Sequence, residues 1–437
     1  MSKTNKMSSV LELFIDLSKV PRCSKTHTPF IKYITNFASS YGYETFVDKA
    51  NNILCKKPNS SAKIALQSHY DMVCLSDDAT PPDIIEKEGF LYAKNSTLGA
   101  DNGIGCSMMM KLISQGYDLE YLFTSDEEIG LIGANEIEFI LNSSYLINLD
   151  SEDEKDICIG CAGGIDIKAI INKKEIRQVE DYTLYEIKVD GLKGGHSGVD
   201  IDKNIPNAIK LLIQTIKESN SLLLDIHGGE RINSIPKNAK AIVASKSMPK
   251  STSKYISIDK IESKPQHITL LDQRIVDFIY SFANGIREYN KDLNSVISSI
   301  NLALIKTEFE NLTIELSARS MDKAALELIK NETITLLENF GFTTSSSGKY
   351  LPWEVEVSPL HDILLDEYKK TFPNSKLYAI HAGLECAVLK DKYPHIQMAS
   401  IGPNIYYPHS FDEHVEIESI DKVFHLLKTT IKRLVED

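Results

Sequence analysis

Histidines and carboxylates in this sequence stand repeatedly at the ends of short apolar runs, and that placement is the first sign of chemistry. Gln67-Ser68-His69-Tyr70-Asp71-Met72 follows the apolar run Ile64 to Leu66. Residues two apart on an extended chain point to the same side, so His69 and Asp71 face one cleft. A carboxylate that close to a histidine also suits the task of orienting it. Thr97-Leu98-Gly99-Ala100-Asp101-Asn102-Gly103-Ile104-Gly105 sets an aspartate among three glycines, which let the backbone turn tightly and let something approach. Tyr121-Leu122-Phe123 leads into Asp126, Glu127 and Glu128, and carboxylates crowded at a buried strand end repel one another unless cations offset them. Leu146 to Leu149 delivers Asp150, and the turn-rich run Gly402 to Ser410 brings His409 close to the last helix.

Taken singly, each has a bland explanation: a surface histidine, a helix-capping aspartate, a solvated acidic loop. Their joint order is far more specific. Two histidines with several carboxylates suit zinc, and imidazole with oxygen ligands also admits Mn²⁺ or Co²⁺.

The elements that must position these residues follow from periodicity. Ser9 to Leu17, Pro29 to Ala38, Gly103 to Ile113 and Leu131 to Leu141 carry apolar residues at helical spacing. Short strand-like runs at Ile64 to Leu66, Leu119 to Phe123 and Tyr145 to Leu149 lie between them. Strands alternating with helices imply an α/β domain with a mostly parallel sheet, whose ligands collect at the C-terminal strand ends. Beyond about residue 180 the pattern changes to one-faced strands (Thr183 to Val189, Ala239 to Ala244, Leu312 to Ala318) with helices at Asn204 to Ile216 and Asp322 to Leu337. The α/β pattern resumes near Ser358, and Ile420, Val423, Phe424, Leu427, Ile431 and Leu434 form one helical stripe. We therefore expect a discontinuous α/β domain over residues 1–182 and 355–437, with an α+β domain inserted at 183–354.

Bulk properties exclude other classes. The net charge is −13, from 61 acidic and 48 basic residues, which argues against a nucleic-acid binder. No apolar run approaches ~18 residues, so no membrane span is expected. The start, MSKTNKMSSVLELFIDL, lacks a long apolar core and reads as the beginning of a helix, not a signal peptide. Seven cysteines in so long a chain make a disulfide framework an unexpected feature, and a reducing cytoplasm the expected setting.

The motifs HYDMV at 69, TLGADNGIG at 97, DEEIGLIGA at 126, NLDSED at 148, KGGHSG at 193, INSIP at 232, ARSMD at 318, IHAGLEC at 380 and SIGPNIYYPHS at 400 resemble, in order and over nearly the whole chain, those of the M20 metallopeptidases. Within that family the likeness is to the aminoacyl-histidine (Xaa-His, cytosolic nonspecific) dipeptidases. The resemblance implies a phosphorylase/hydrolase-like zinc-peptidase domain with an inserted lid that often carries a dimer contact. It implies two zinc ions per chain: His69 and Asp150 on the first, Glu128 and His409 on the second, and Asp101 bridging both. Asp71 would orient His69, Glu127 would be the general base, and His196 would donate to the tetrahedral oxyanion. This chain is shorter than typical dipeptidases of that type, with the loss in the lid, and it carries Tyr70 and Cys74 where Met and Pro are usual.

For the substrate's termini, Arg319 is a candidate for the C-terminal carboxylate, because arginine grips carboxylates in a fork. Glu385 is a candidate for the free amino group, with His381 and Asn233 as further contacts. Cys158-x-x-Cys161 has no second pair and is expected as buried thiols, Trp353 as packing, and His27, His227, His267, His361, His395, His414 and His425 as structural or exposed. The leading expectation is a cytoplasmic, homodimeric dipeptidase acting on Xaa-His and other dipeptides. The competing expectations are an N-acyl-amino-acid deacylase or carboxypeptidase with the same metals, and a binding protein without catalysis.

Overall fold

The computed structural model describes residues 9–75, 81–94, 96–172, 175–178, 181–262, 267–291 and 295–436. The first eight residues, and the side chain of His267, lie outside what is described. The chain divides into two compact units: Met1–Gly160 with Val355–Ala379 and Leu384–Asp437, and Cys161–Glu354 with Ile380–Gly383.

The first unit is built on an eight-stranded sheet in the order Glu44–Val47, Ile53–Lys56, Glu120–Thr124, Ile64–His69, Tyr145–Asn148, Gln397–Ser400, Ile157–Cys161, Leu377–Ile380. Its four central strands pair parallel, while antiparallel pairs flank them on both sides. Every residue of Ile64–His69 is buried, so its apolar half, Ile64 to Leu66, shows no alternation with exposed residues. Helix Val10–Leu17 begins with a reciprocal capping box between Ser9 and Glu12 and packs Val10, Leu13, Phe14 and Leu17 into the same core as Met108 to Met110 and Ile431. Ile64 and Leu66 are fully buried there, and truncating either to alanine costs about 2–5 kcal/mol.

Three features depart from the sequence reading. The expected helix from Leu131 to Leu141 is only Ile132–Glu136. Carboxylates from elsewhere hold the segment beyond it in another path: Asp48 accepts from Glu138 N, and Glu120 accepts from Asn142 N and Ser143 N. A disulfide joins Cys23 and Cys74, with Cα atoms 5.6 Å apart, which corrects the expectation that the cysteines stay unpaired. The pairing follows from the backbone, where Cys23 bridges to Met72 in parallel. Finally, a four-stranded sheet orders Ile405–Tyr406, His414–Glu416, Phe90–Lys94 and Asp83–Lys87.

The second unit is a nine-stranded sheet whose strand pairs are antiparallel, with helices Ala208–Glu218, Gln273–Ser281 and Lys323–Asn339. It begins at Cys161, earlier than residue 183, because Gly163–Asn172 pairs along the whole of Asn311–Ser320. Ile165, Ile167, Ala169 and Ile171 alternate inward to the helices' core, the one-faced pattern of an α+β unit. No helix among the described residues is long and apolar enough to cross a membrane.

Candidate dinuclear metal centre

The first unit gathers the sequence-singled histidines and acids at the C-terminal ends of its parallel strands. His69 closes the strand Ile64–His69 and is buried. Its Nε2 lies 3.1 Å from Asp101 Oδ1 and 3.2 Å from Asp150 Oδ1. The opposite nitrogen, Nδ1, lies 3.1 Å from the Asp71 backbone carbonyl and 3.5 Å from Asp71 Oδ1. Asp101 turns its other oxygen, Oδ2, to His409 Nε2 at 3.0 Å, and that nitrogen is 2.8 Å from Glu128 Oε2. Two donor groups therefore share one carboxylate: His69, Asp101 and Asp150 on one side, Asp101, Glu128 and His409 on the other. Within each group the donor atoms all lie within 4.8 Å of one another.

Local structure explains how Asp101 reaches both. The helix Ala100–Ser114 is broken at Asp101 and Asn102, which leave helical geometry and are joined by a cis peptide bond. Asn102 Nδ2 then reaches Leu149 O at 2.9 Å and also bonds the Asp150 carboxylate, holding a second acid in place. His409 stands in the loop of the hairpin closed by Tyr406 and His414, with both Tyr407 and His409 in the left-handed region.

Charge is the dominant fact of this site. Burial pushes Glu127 well above the usual carboxylate range, and Glu128, Asp150 and Glu385 add to the effect. Burial raises Glu128 and Asp150 in the same way. Desolvation alone would lower the histidines, yet the carboxylates hold His69 well above its usual value and His409 at about 11. Asp71 stays low despite burial, because His69, Ser24 and the Glu127 amide all face it. Glu128 Oε1 is buried with no hydrogen-bond partner among the described residues. Imidazole and carboxylate donors, crowded acids and an orphaned acid oxygen fit a site for divalent cations.

The remaining expected residues are placed as follows. Glu385 belongs to the first unit and is fully buried; its Oε2 accepts from Gln67 Nε2 at 2.5 Å and Thr124 Oγ1 at 2.7 Å. Burial pushes it up to about 8. His196, Asn233, Arg319 and His381 lie in the second unit. His196 Nδ1 accepts the N–H groups of Gly198 and Val199, both at 3.2 Å, which leaves Nε2 as the donor of the neutral ring. Asn233 is exposed, and its carbonyl accepts from Ser197 N at 2.8 Å. Arg319 is buried on its strand and donates to Tyr350 Oη at 2.7 Å. His381 Nε2 lies 2.7 Å from Ser299 Oγ, and burial, then Arg319, drive its pKa down to about 3. Trp353, Cys158 and Cys161 are buried.

Two residues at the centre escaped the sequence reading. Arg22 is buried and donates to Tyr70 O at 3.0 Å and to Gly99 O. Glu413 accepts the backbone amides of the Asp101 loop. His27, expected to be merely structural or exposed, bonds Tyr70 Oη at 2.9 Å and faces Asp126 at 3.3 Å.

The family model for peptidase family M20/M25/M40 matches residues 65–433. The chain belongs to this family. A cytosol non-specific dipeptidase of Escherichia coli (strain K12) is 30% identical, with 99% of each chain covered. The crystal structure of an aminoacylhistidine dipeptidase from Vibrio alginolyticus superposes with a TM-score of 0.83 at 28% identity, covering 99% of this chain and 98% of that one. A tripeptidase from Staphylococcus aureus, 15% identical with a TM-score of 0.59 over 98% of both chains, shares the fold. As an M20 peptidase this chain is a hydrolase of peptide bonds, and a dinuclear metal centre accords with the donor groups above.

Proposed function

We propose that this M20 peptidase is a dipeptidase that cleaves Xaa-His and other dipeptides, with two Zn²⁺ held by His69, Asp101, Glu128, Asp150 and His409. The observation that carries the reading is the pair of donor groups sharing Asp101, with a Glu127 carboxylate oxygen within 4.8 Å of donor atoms of His69 and Glu128. Full-length likeness to two dipeptidases supports the substrate class.

When bound, the cations supply Lewis-acid activation of a water and offset the crowded carboxylates. Glu127 takes the proton of the attacking water as its oxygen bonds to the peptide carbonyl carbon. It then gives that proton to the amine nitrogen as the C–N bond breaks. Its desolvated carboxylate, raised in pKa, suits both steps. Asp71 keeps His69 oriented through Nδ1. His196 Nε2–H is assigned to the oxyanion, Arg319 to the substrate carboxylate with Asn233 and His381 beside it, and Glu385 to the amino group.

A cytoplasmic setting is supported by the five buried thiols and the cytosolic relative, while the Cys23–Cys74 bridge runs against it. A homodimer through the second unit completes the reading, and sedimentation of the metal-loaded protein tests it: a monomer at micromolar concentration would overturn it. The function itself is tested with a panel of dipeptides and N-acetyl-amino acids. Turnover of acetyl-amino acids without turnover of dipeptides would replace the proposal with a deacylase.

A further inference from the structure

We propose that Glu413 is a positioning residue for the metal centre, locking the loop of the bridging Asp101 to the loop of His409. The inference rests on the proposed metal ligands and adds a residue that touches neither ion nor substrate.

Glu413 is buried, four residues beyond His409 in the same hairpin loop. Its Oε2 accepts from Leu98 N at 2.8 Å and Gly99 N at 3.0 Å, and its Oε1 accepts from Ala100 N at 2.8 Å and Asp101 N at 3.3 Å. Four consecutive amides thus converge on one carboxylate, the charge-assisted arrangement that holds a backbone most firmly. On the other polar side of the same loop, the buried Arg22 donates to Gly99 O. Gly99 is therefore gripped at its N–H by Glu413 and at its carbonyl by Arg22. Its φ of +66° and the closeness of Arg22 and Met72 leave no room for a side chain there.

The consequence falls unequally on the two donor groups. His69 and Asp150 issue directly from, or just beyond, central strands. His409 is half-exposed on a loop, and Glu413, four residues on in the same loop, is a buried anchor that ties it to residues 98–101. Loosening Glu413 frees Asp101 and His409 from each other while leaving His69 and Asp150 on their strands.

Glu413→Gln keeps the shape but turns an NH₂ toward two N–H donors, so two of the four bonds become repulsive. The test is calorimetric Zn²⁺ titration of metal-depleted wild type, Glu413→Gln, Glu413→Asp and the exposed-loop control Asp412→Asn, with circular dichroism on each. Wild type and Asp412→Asn are expected to bind two ions. Glu413→Gln is expected to weaken the ion of the Asp101–Glu128–His409 group at least tenfold, and the ion of the His69–Asp101–Asp150 group less, with KM unchanged at saturating metal. Glu413→Asp, which retains the charge, is expected to recover part of that affinity and serves as the readout should Glu413→Gln not fold. Two ions bound with wild-type affinities by a folded Glu413→Gln, or by Glu413→Asp if only that variant folds, would overturn the proposal. Failure of wild type to bind two ions would instead refute the metal assignment beneath it.

Discussion

Asp71 accepts the backbone N–H of Glu127 at 3.0 Å. The same carboxylate faces Nδ1 of His69, so one buried acid registers a metal-side histidine and the proposed base against each other. We expect Asp71→Asn to lose 10–100-fold in metal affinity or activity, the usual cost of removing a partner behind a ligating histidine. Zinc titration and steady-state kinetics on the same preparation check this; unchanged affinity with unchanged turnover would remove Asp71 from that role.

Glu127→Gln separates chemistry from metal binding. The variant should retain two ions by metal analysis while kcat falls by about 10²–10⁴, the range expected of a general base. Turnover within tenfold of wild type would exclude Glu127 as the proton carrier.

Part of this site was legible because two of the candidate ligands sit at or just past a short apolar strand, and strand ends are where an α/β sheet collects ligands. His69 and Asp150 are of this kind. Glu413 and Arg22 were not legible, because their partners are backbone amides and carbonyls about 313 and 77 residues away, which leave no pattern in side-chain types. The short Ile132–Glu136 helix shows the same limit: the path beyond it is held by carboxylates of Asp48 and Glu120 that arrive from other strands and loops. The Cys23–Cys74 pairing was equally hidden, since counting cysteines says nothing of which two lie side by side.

Metal affinity should rise with pH. In the metal-free protein Asp101 and Glu128 hold His409 protonated up to about 11, and an ion must displace that proton. The sign for stability is opposite. The raised His409 value contributes fully below its unfolded pKa of about 6.5, and the contribution is lost as pH climbs towards 11. Calorimetry in buffers of different ionisation enthalpy should detect net proton release on zinc binding at neutral pH. Proton uptake would contradict the charge assignment.

The disulfide gives a countable prediction. Denatured protein prepared without reductant, with thiols trapped at lysis, should titrate five thiols, and seven after reduction. The bridge closes a 51-residue span, so Cys23→Ser with Cys74→Ser should lower stability by up to about 4 kcal/mol in the chain-entropy picture. Seven thiols before reduction would show that the pair is not joined in the cell.

Catalysis by this site, as proposed, requires two ions acting with Asp101 between them. Hydrolysis of a single Xaa-His dipeptide, followed while Zn²⁺ is added stepwise to metal-depleted protein, tests this most directly. Activity should be absent at the start and reach its plateau at two equivalents per chain. A plateau at one equivalent, or full activity in the presence of a strong chelator, would contradict it.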